Sequence, residues 1–84
     1  MEVQLLIAPD CPRAESARRL LAECVEQLAV DVSVRERVGE YPSPTILVDG
    51  VDVMTGAAGV SHIEACRLDV PTRSRLLAAL SGEA

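Results

Sequence analysis

The chain has 84 residues, less than one typical domain of about 100–150 residues, so a single unit spanning residues 1–84 is expected. Its apolar share of 49% is ample for a core, but Trp and Phe are absent and Tyr41 is the only aromatic residue, which leaves no platform for stacking nucleic-acid bases. Eight Arg and no Lys stand against thirteen Asp plus Glu, a net charge of −5 that is the wrong sign for a phosphate-backbone binder.

The apolar stretches fall far short of the roughly 20 residues that span a bilayer, so no membrane partner is expected. Met1-Glu2-Val3-Gln4 brings no basic region ahead of the first apolar run, so no signal peptide is expected and the chain reads as cytoplasmic. In a reducing compartment Cys11, Cys24 and Cys66 read as thiols rather than structural disulfides, and their odd number agrees.

In chain order, Val3 to Ala8 is a nearly continuous apolar run stopped by Pro9, the mark of a central strand buried on both faces. From Arg13 to Ala29, Ala17, Leu20, Leu21, Cys24, Val25 and Leu28 recur at three- and four-residue intervals, which predicts an amphipathic helix. Pro12 suits the first helical turn, where its missing N–H costs nothing, and this places Cys11 at or beside the N-cap. Val30, Val32 and Val34 alternate with Asp31, Ser33 and Arg35 as in an edge strand with one wet face. Strand, helix and strand together predict a right-handed crossover joining two parallel strands.

Gly39 and Pro42-Ser43-Pro44 predict a loop. Thr45–Val48 and Val51–Met54 then flank Asp49-Gly50, a strong hairpin signal. Residues 55–71 lose periodicity and read as a functional loop. Thr72 predicts the cap of a final helix that carries Leu76, Leu77 and Leu80 on one face and ends at Ser81-Gly82. The expected architecture is α/β in the order β-α-β-β-β-α, with a four-stranded mixed sheet of strand order 2-1-3-4.

A central strand running into Cys11-Pro12 at a helix start, followed by Ser43-Pro44-Thr45 entering a hairpin, resembles the thioredoxin-like superfamily and its glutaredoxin branch in particular. The stretch Ile46 to Gly56 is similar to the glutaredoxin hairpin and the glycine after it. The resemblance implies that Cys11 is the reactive cysteine, that Pro44 is a cis-proline facing it, and that the activity is thiol–disulfide exchange with a disulfide-bearing protein or small thiol, without a cofactor. Pro12, Arg13, Ser43, Pro44 and Thr45 are the implied substrate-binding residues. Two departures stand out. The motif reads Cys11-Pro12-Arg13-Ala14, without a second cysteine, and residues 38–43 leave no room for the helix that glutaredoxins carry there. The chain also resembles short thioredoxin-fold proteins labelled alkylmercury-lyase-like.

A helix N-terminus favours the thiolate of Cys11, and Arg13 adds to the effect while Asp10 opposes it. The alternative for Cys11 is a buried apolar cysteine. Cys24 lies on the apolar stripe of the helix and reads as core. It also falls roughly 20 Å along the helix from Cys11, beyond disulfide reach, which leaves Cys66 as the only candidate partner. Cys66, in the irregular loop, is either a resolving thiol or second ligand for a thiophilic metal, or simply packed. His62-x-x-x-Cys66 is weak as a metal motif, and His62 reads as a solvated loop residue. Tyr41 either borders the site or covers the core edge. Three functions follow: a thiol redox protein acting through Cys11, a soft-metal or organomercurial protein using Cys11 and Cys66, and a non-enzymatic binding domain that keeps the fold.

Overall fold

The computed structural model describes residues 1–82 and is a mixed α/β arrangement of a four-stranded mixed sheet and two helices. The elements are β1 (Glu2–Ile7), α1 (Ala14–Leu28), β2 (Ser33–Val38), β3 (Pro42–Ser43), β4 (Thr45–Val48), β5 (Val51–Asp52), β6 (Ala65–Cys66) and α2 (Arg73–Leu80). Among these residues no helix is long and apolar enough to cross a membrane.

The main sheet has the order β2-β1-β4-β5, with β1 parallel to β2 and antiparallel to β4. This differs from the expected 2-1-3-4 because a two-residue strand, β3, intervenes between β2 and the hairpin. It pairs in parallel with β6 as a separate small sheet, Pro42 opposite Ala65 and Ser43 opposite Cys66. Two-residue strands carry no periodicity of their own, so Pro42-Ser43 reads as loop in the sequence.

The apolar run of β1 is explained by burial on both faces. Val3, Leu5 and Ile7 join Ile46 and Val48 of β4 in a core closed by Ala17, Leu21 and Cys24 of α1 and Leu76 and Leu80 of α2. Leu6 and Leu47 point the other way and pack with Tyr41 and Val60. The two-residue period of a strand makes this division obligatory. Tyr41 therefore covers the second face of the sheet, and exposed His62 lies with its ring centroid 5.8 Å from that of Tyr41.

Several boundaries move. The helix begins at Ala14 with Arg13 at the N-cap, not beside Cys11, because the Ala14 N–H closes a turn on the Cys11 carbonyl at 3.2 Å and the first helical bond runs from Ala17 N to Arg13 O. The edge strand occupies Ser33–Val38, three residues later than the valine alternation suggests, since its pairing runs from Glu2 opposite Ser33 to Ile7 opposite Val38. The last hairpin strand stops at Asp52 rather than Met54. There the Asp52 carboxylate accepts from the Met54 N–H at 2.8 Å, capturing the backbone in a turn. The hairpin turn itself has Asp49 at φ 50° and Gly50 at φ 83°, the left-handed pair that suits the twist of the strands. At the final helix Thr72 is the N-cap, its hydroxyl accepting from Arg75 N.

Candidate functional site

Cys11 sits in the turn between β1 and α1, half-buried, immediately after Asp10, which adopts a left-handed φ of 59°. Asp tolerates that conformation better than most residues because its short side chain can bond locally. On the other side of the site, the parallel pairing of β6 with β3 sets Cys66 opposite Ser43. The result is one cavity of about 210 Å³ lined by Asp10, Cys11, Pro12, Ser43, Glu64 and Cys66. Residues 55 positions apart in the chain thus meet at one surface, and the loop of residues 55–71 returns to the end of the sheet that holds Cys11.

Ser43 is 1% exposed, and its Oγ has no hydrogen-bond partner among the described residues. A buried hydroxyl normally finds a partner, and one left without costs roughly 1–3 kcal/mol. Ser43 is also one of the residues that line the cysteine cavity, so this unpartnered hydroxyl lies beside that space.

The remaining sequence candidates divide among neighbouring cavities. The Ser43–Pro44 peptide bond is cis, as the resemblance implies, but Ser43 rather than Pro44 lines the cavity of Cys11. Pro44 lines a second cavity of about 300 Å³ with Arg13, Ala17 and Leu20, because it points to the α1 side of the β3–β4 junction. Thr45 lines a third, of about 440 Å³, together with Leu6, Asp52 and Arg67 and neither cysteine. Its hydroxyl donates to the Pro42 carbonyl at 2.6 Å. Cys24 is fully buried in the core, where burial pushes its thiol above the ordinary value.

The residue that sequence reasoning missed is Arg67. Its side chain is 9% exposed, and Nη1 donates to Asp52 Oδ2 at 2.8 Å and to Thr45 Oγ1 at 2.9 Å. A second pair of bonds joins its guanidinium to Asp69. The hydrogen bonds it donates to Asp69 come first in raising the guanidinium above its ordinary value, the one to Asp52 adds to them, and burial opposes both. Its backbone is equally engaged, with Arg67 N donating to Ser43 O at 2.9 Å and Arg67 O accepting from Arg13 Nη1 at 2.8 Å. Arg67 thus ties the start of α1, both short strands and the hairpin together and fixes Cys66, its neighbour, on the cavity wall. The only sequence signal was an arginine two residues before Asp69 in a loop.

Among the described residues no group of three or more His, Cys, Asp or Glu side chains is placed to hold a metal ion. The chain matches no family model, no curated protein and no solved structure.

Proposed function

We propose that this chain is a thioredoxin-like thiol redox protein of glutaredoxin type that acts through Cys11, with Cys66 as its second thiol. One observation carries the reading: Cys11 and Cys66, separated by the whole of α1 and the hairpin, line a single cavity. The strand–helix–strand unit with β1 parallel to β2, and the β4–β5 hairpin set beside β1, support the thioredoxin-like assignment. Ala14 leaves the helix without the usual second cysteine, and a thiol delivered by β6 stands in its place.

In the proposed reaction the Cys11 thiolate attacks one sulfur of a disulfide-bearing protein or small disulfide. A bond forms from Cys11 Sγ to that sulfur as the substrate's S–S bond breaks, and the other half leaves as a thiolate that takes up a proton. Cys66 then attacks Cys11 Sγ, releasing the second half as a thiol and leaving a Cys11–Cys66 disulfide for an external dithiol to reduce. A reducing compartment such as the cytoplasm returns both cysteines to thiols.

The test is mild oxidation of the native protein followed by peptide mapping. A Cys11–Cys66 link is expected, and adducts confined to Cys11 would reduce the mechanism to a monothiol one. A Cys11 no more reactive when folded than when denatured would overturn the reading in favour of a binding domain. The same pair of thiols also suits a thiophilic cation, for which two thiolate ligands are enough. Metal titration followed by thiolate charge-transfer absorbance, lost in Cys11→Ser and in Cys66→Ser alike, would favour that second reading.

A further inference from the structure

The charges around the cysteine cavity are one-sided. Two carboxylate residues, Asp10 and Glu64, line it, and among the described residues no cationic one does. The arginines nearest in sequence to the two cysteines are both turned away. Arg13 reaches the Arg67 carbonyl and lines the cavity of Pro44, while Arg67 is held by Asp52 and Asp69. Ser43 also lines this cavity, and its buried hydroxyl has no hydrogen-bond partner among the described residues. At about 210 Å³ the space is below the roughly 300–1,000 Å³ of pockets that enclose drug-sized ligands, so it suits a small group.

We propose that this cavity selects small cationic disulfides, those of aminothiols, over anionic ones of the same size. The ammonium of the bound half lies between the Asp10 and Glu64 carboxylates, and Ser43 Oγ accepts a hydrogen bond from it. This rests on the thiol-exchange reading and names the substrate class for it. In the exchange Cys11 Sγ bonds to one aminothiol sulfur, the substrate S–S bond breaks, and the other aminothiol leaves as a thiolate and is protonated. Cys11 is oxidised to the mixed disulfide as that half of the substrate is reduced.

The experiment measures, on the full chain by intact mass, the rate of mixed-disulfide formation at Cys11 with three disulfides of matched size: cationic cystamine, neutral bis(2-hydroxyethyl) disulfide and anionic dithiodipropionate. At low salt the expected order is cationic, neutral, anionic. Each step is on the order of a few-fold, as two carboxylates close to the reagent in a largely aqueous setting would give. The spread should shrink at high ionic strength, where the Debye length falls to about 3 Å. Asp10→Asn, whose new side chain also tolerates the left-handed backbone, and Glu64→Gln should each compress it. Ser43→Ala should slow cystamine about two- to tenfold, the worth of one ordinary hydrogen bond.

Equal or reversed rates for the cationic and anionic reagents, with brisk reaction of the neutral one, would overturn the selectivity and leave the thiol function standing. An unchanged cystamine rate in Ser43→Ala would overturn the assignment of the ammonium to that hydroxyl. Failure of Cys11 to react even with the neutral disulfide would overturn both the selectivity and the proposed function.

Discussion

Arg67 reaches back 22 residues to donate from Nη1 to Thr45 Oγ1 at 2.9 Å, while its own N–H bonds the Ser43 carbonyl at 2.9 Å. One residue thus grips both neighbours of Pro44. The position of Cys66 on the cavity wall depends on this grip, since β6 is held to the body by only two paired residues.

Arg67→Met should therefore destabilise the protein by on the order of 2–3 kcal/mol. That is less than the roughly 3–5 kcal/mol of a fully buried pair, because Asp69 is half exposed and only Asp52 is left enclosed without its partner. Arg67→Lys should recover little of the loss, because an ammonium cannot meet two carboxylates and a hydroxyl with the planar fork of a guanidinium. Urea denaturation gives the stability. In both variants oxidative coupling of Cys11 to Cys66 should slow more than alkylation of Cys11 does. A Lys variant as stable as wild type would sink this account.

The same cluster predicts an acid limb in stability. The hydrogen bonds from Arg67 hold the Asp69 carboxyl below its ordinary range, as those from Arg18 do for Glu36. A carboxyl with a depressed folded value stabilises the fold fully above its unfolded value, about 4, and loses that contribution as pH falls through the lower folded value. Thermal midpoints followed from about pH 7 to pH 2 should show Asp69→Asn below wild type at neutral pH and level with it at the acid end. A deficit that stays constant with pH would mean that charge plays no part.

Much of the frame was legible from residue period alone. The β1 run, the stripe of α1, the Asp49-Gly50 turn and the Thr72 cap all state local preferences that the packing agrees with. The site was legible only in part. Ser43-Pro44-Thr45 and Cys11 carried their own signal, but the β3–β6 pair did not, because two paired residues separated by more than twenty positions leave no local pattern. Arg67 was hidden for a related reason: one arginine among eight is marked as buried only by partners 15 and 22 residues away. The helix start was misjudged because Pro12 fits the first helical turn as well as it fits the turn before it.

Ala29 ends α1 in the left-handed region, at φ 52° and ψ 37°, its N–H bonding Glu26 O. A side chain with a Cβ is strained there, and glycine is the residue that helices usually place at this position. Ala29→Gly should raise stability by about 0.5–1 kcal/mol, the relief of strain exceeding the extra chain entropy that glycine brings to the unfolded state. A rise in urea midpoint with an unchanged slope would be the sign. A fall would mean that the chain entropy glycine adds to the unfolded state outweighs the strain it relieves.

The three thiols should separate cleanly by reactivity, and the order tests the division between core and site. Cys24 is wholly enclosed among Leu21, Leu76 and Leu80, and burial raises its thiol, so it lacks both access and thiolate character. Cys66 is exposed and Cys11 half-buried, so both are open to a small alkylating reagent in the folded protein. Under native conditions, mass spectrometry should find two modifications accumulating while Cys24 is labelled only at the rate of global opening, and all three should react together in denaturant. Cys24→Ser should cost about 1–3 kcal/mol, because it puts a hydroxyl into an apolar core. Cys24→Ala leaves no polar group there, so it should be the milder of the two. Early labelling of Cys24 in the folded chain would show that α1 does not close the core, and the division between a core thiol and two site thiols would fall with it.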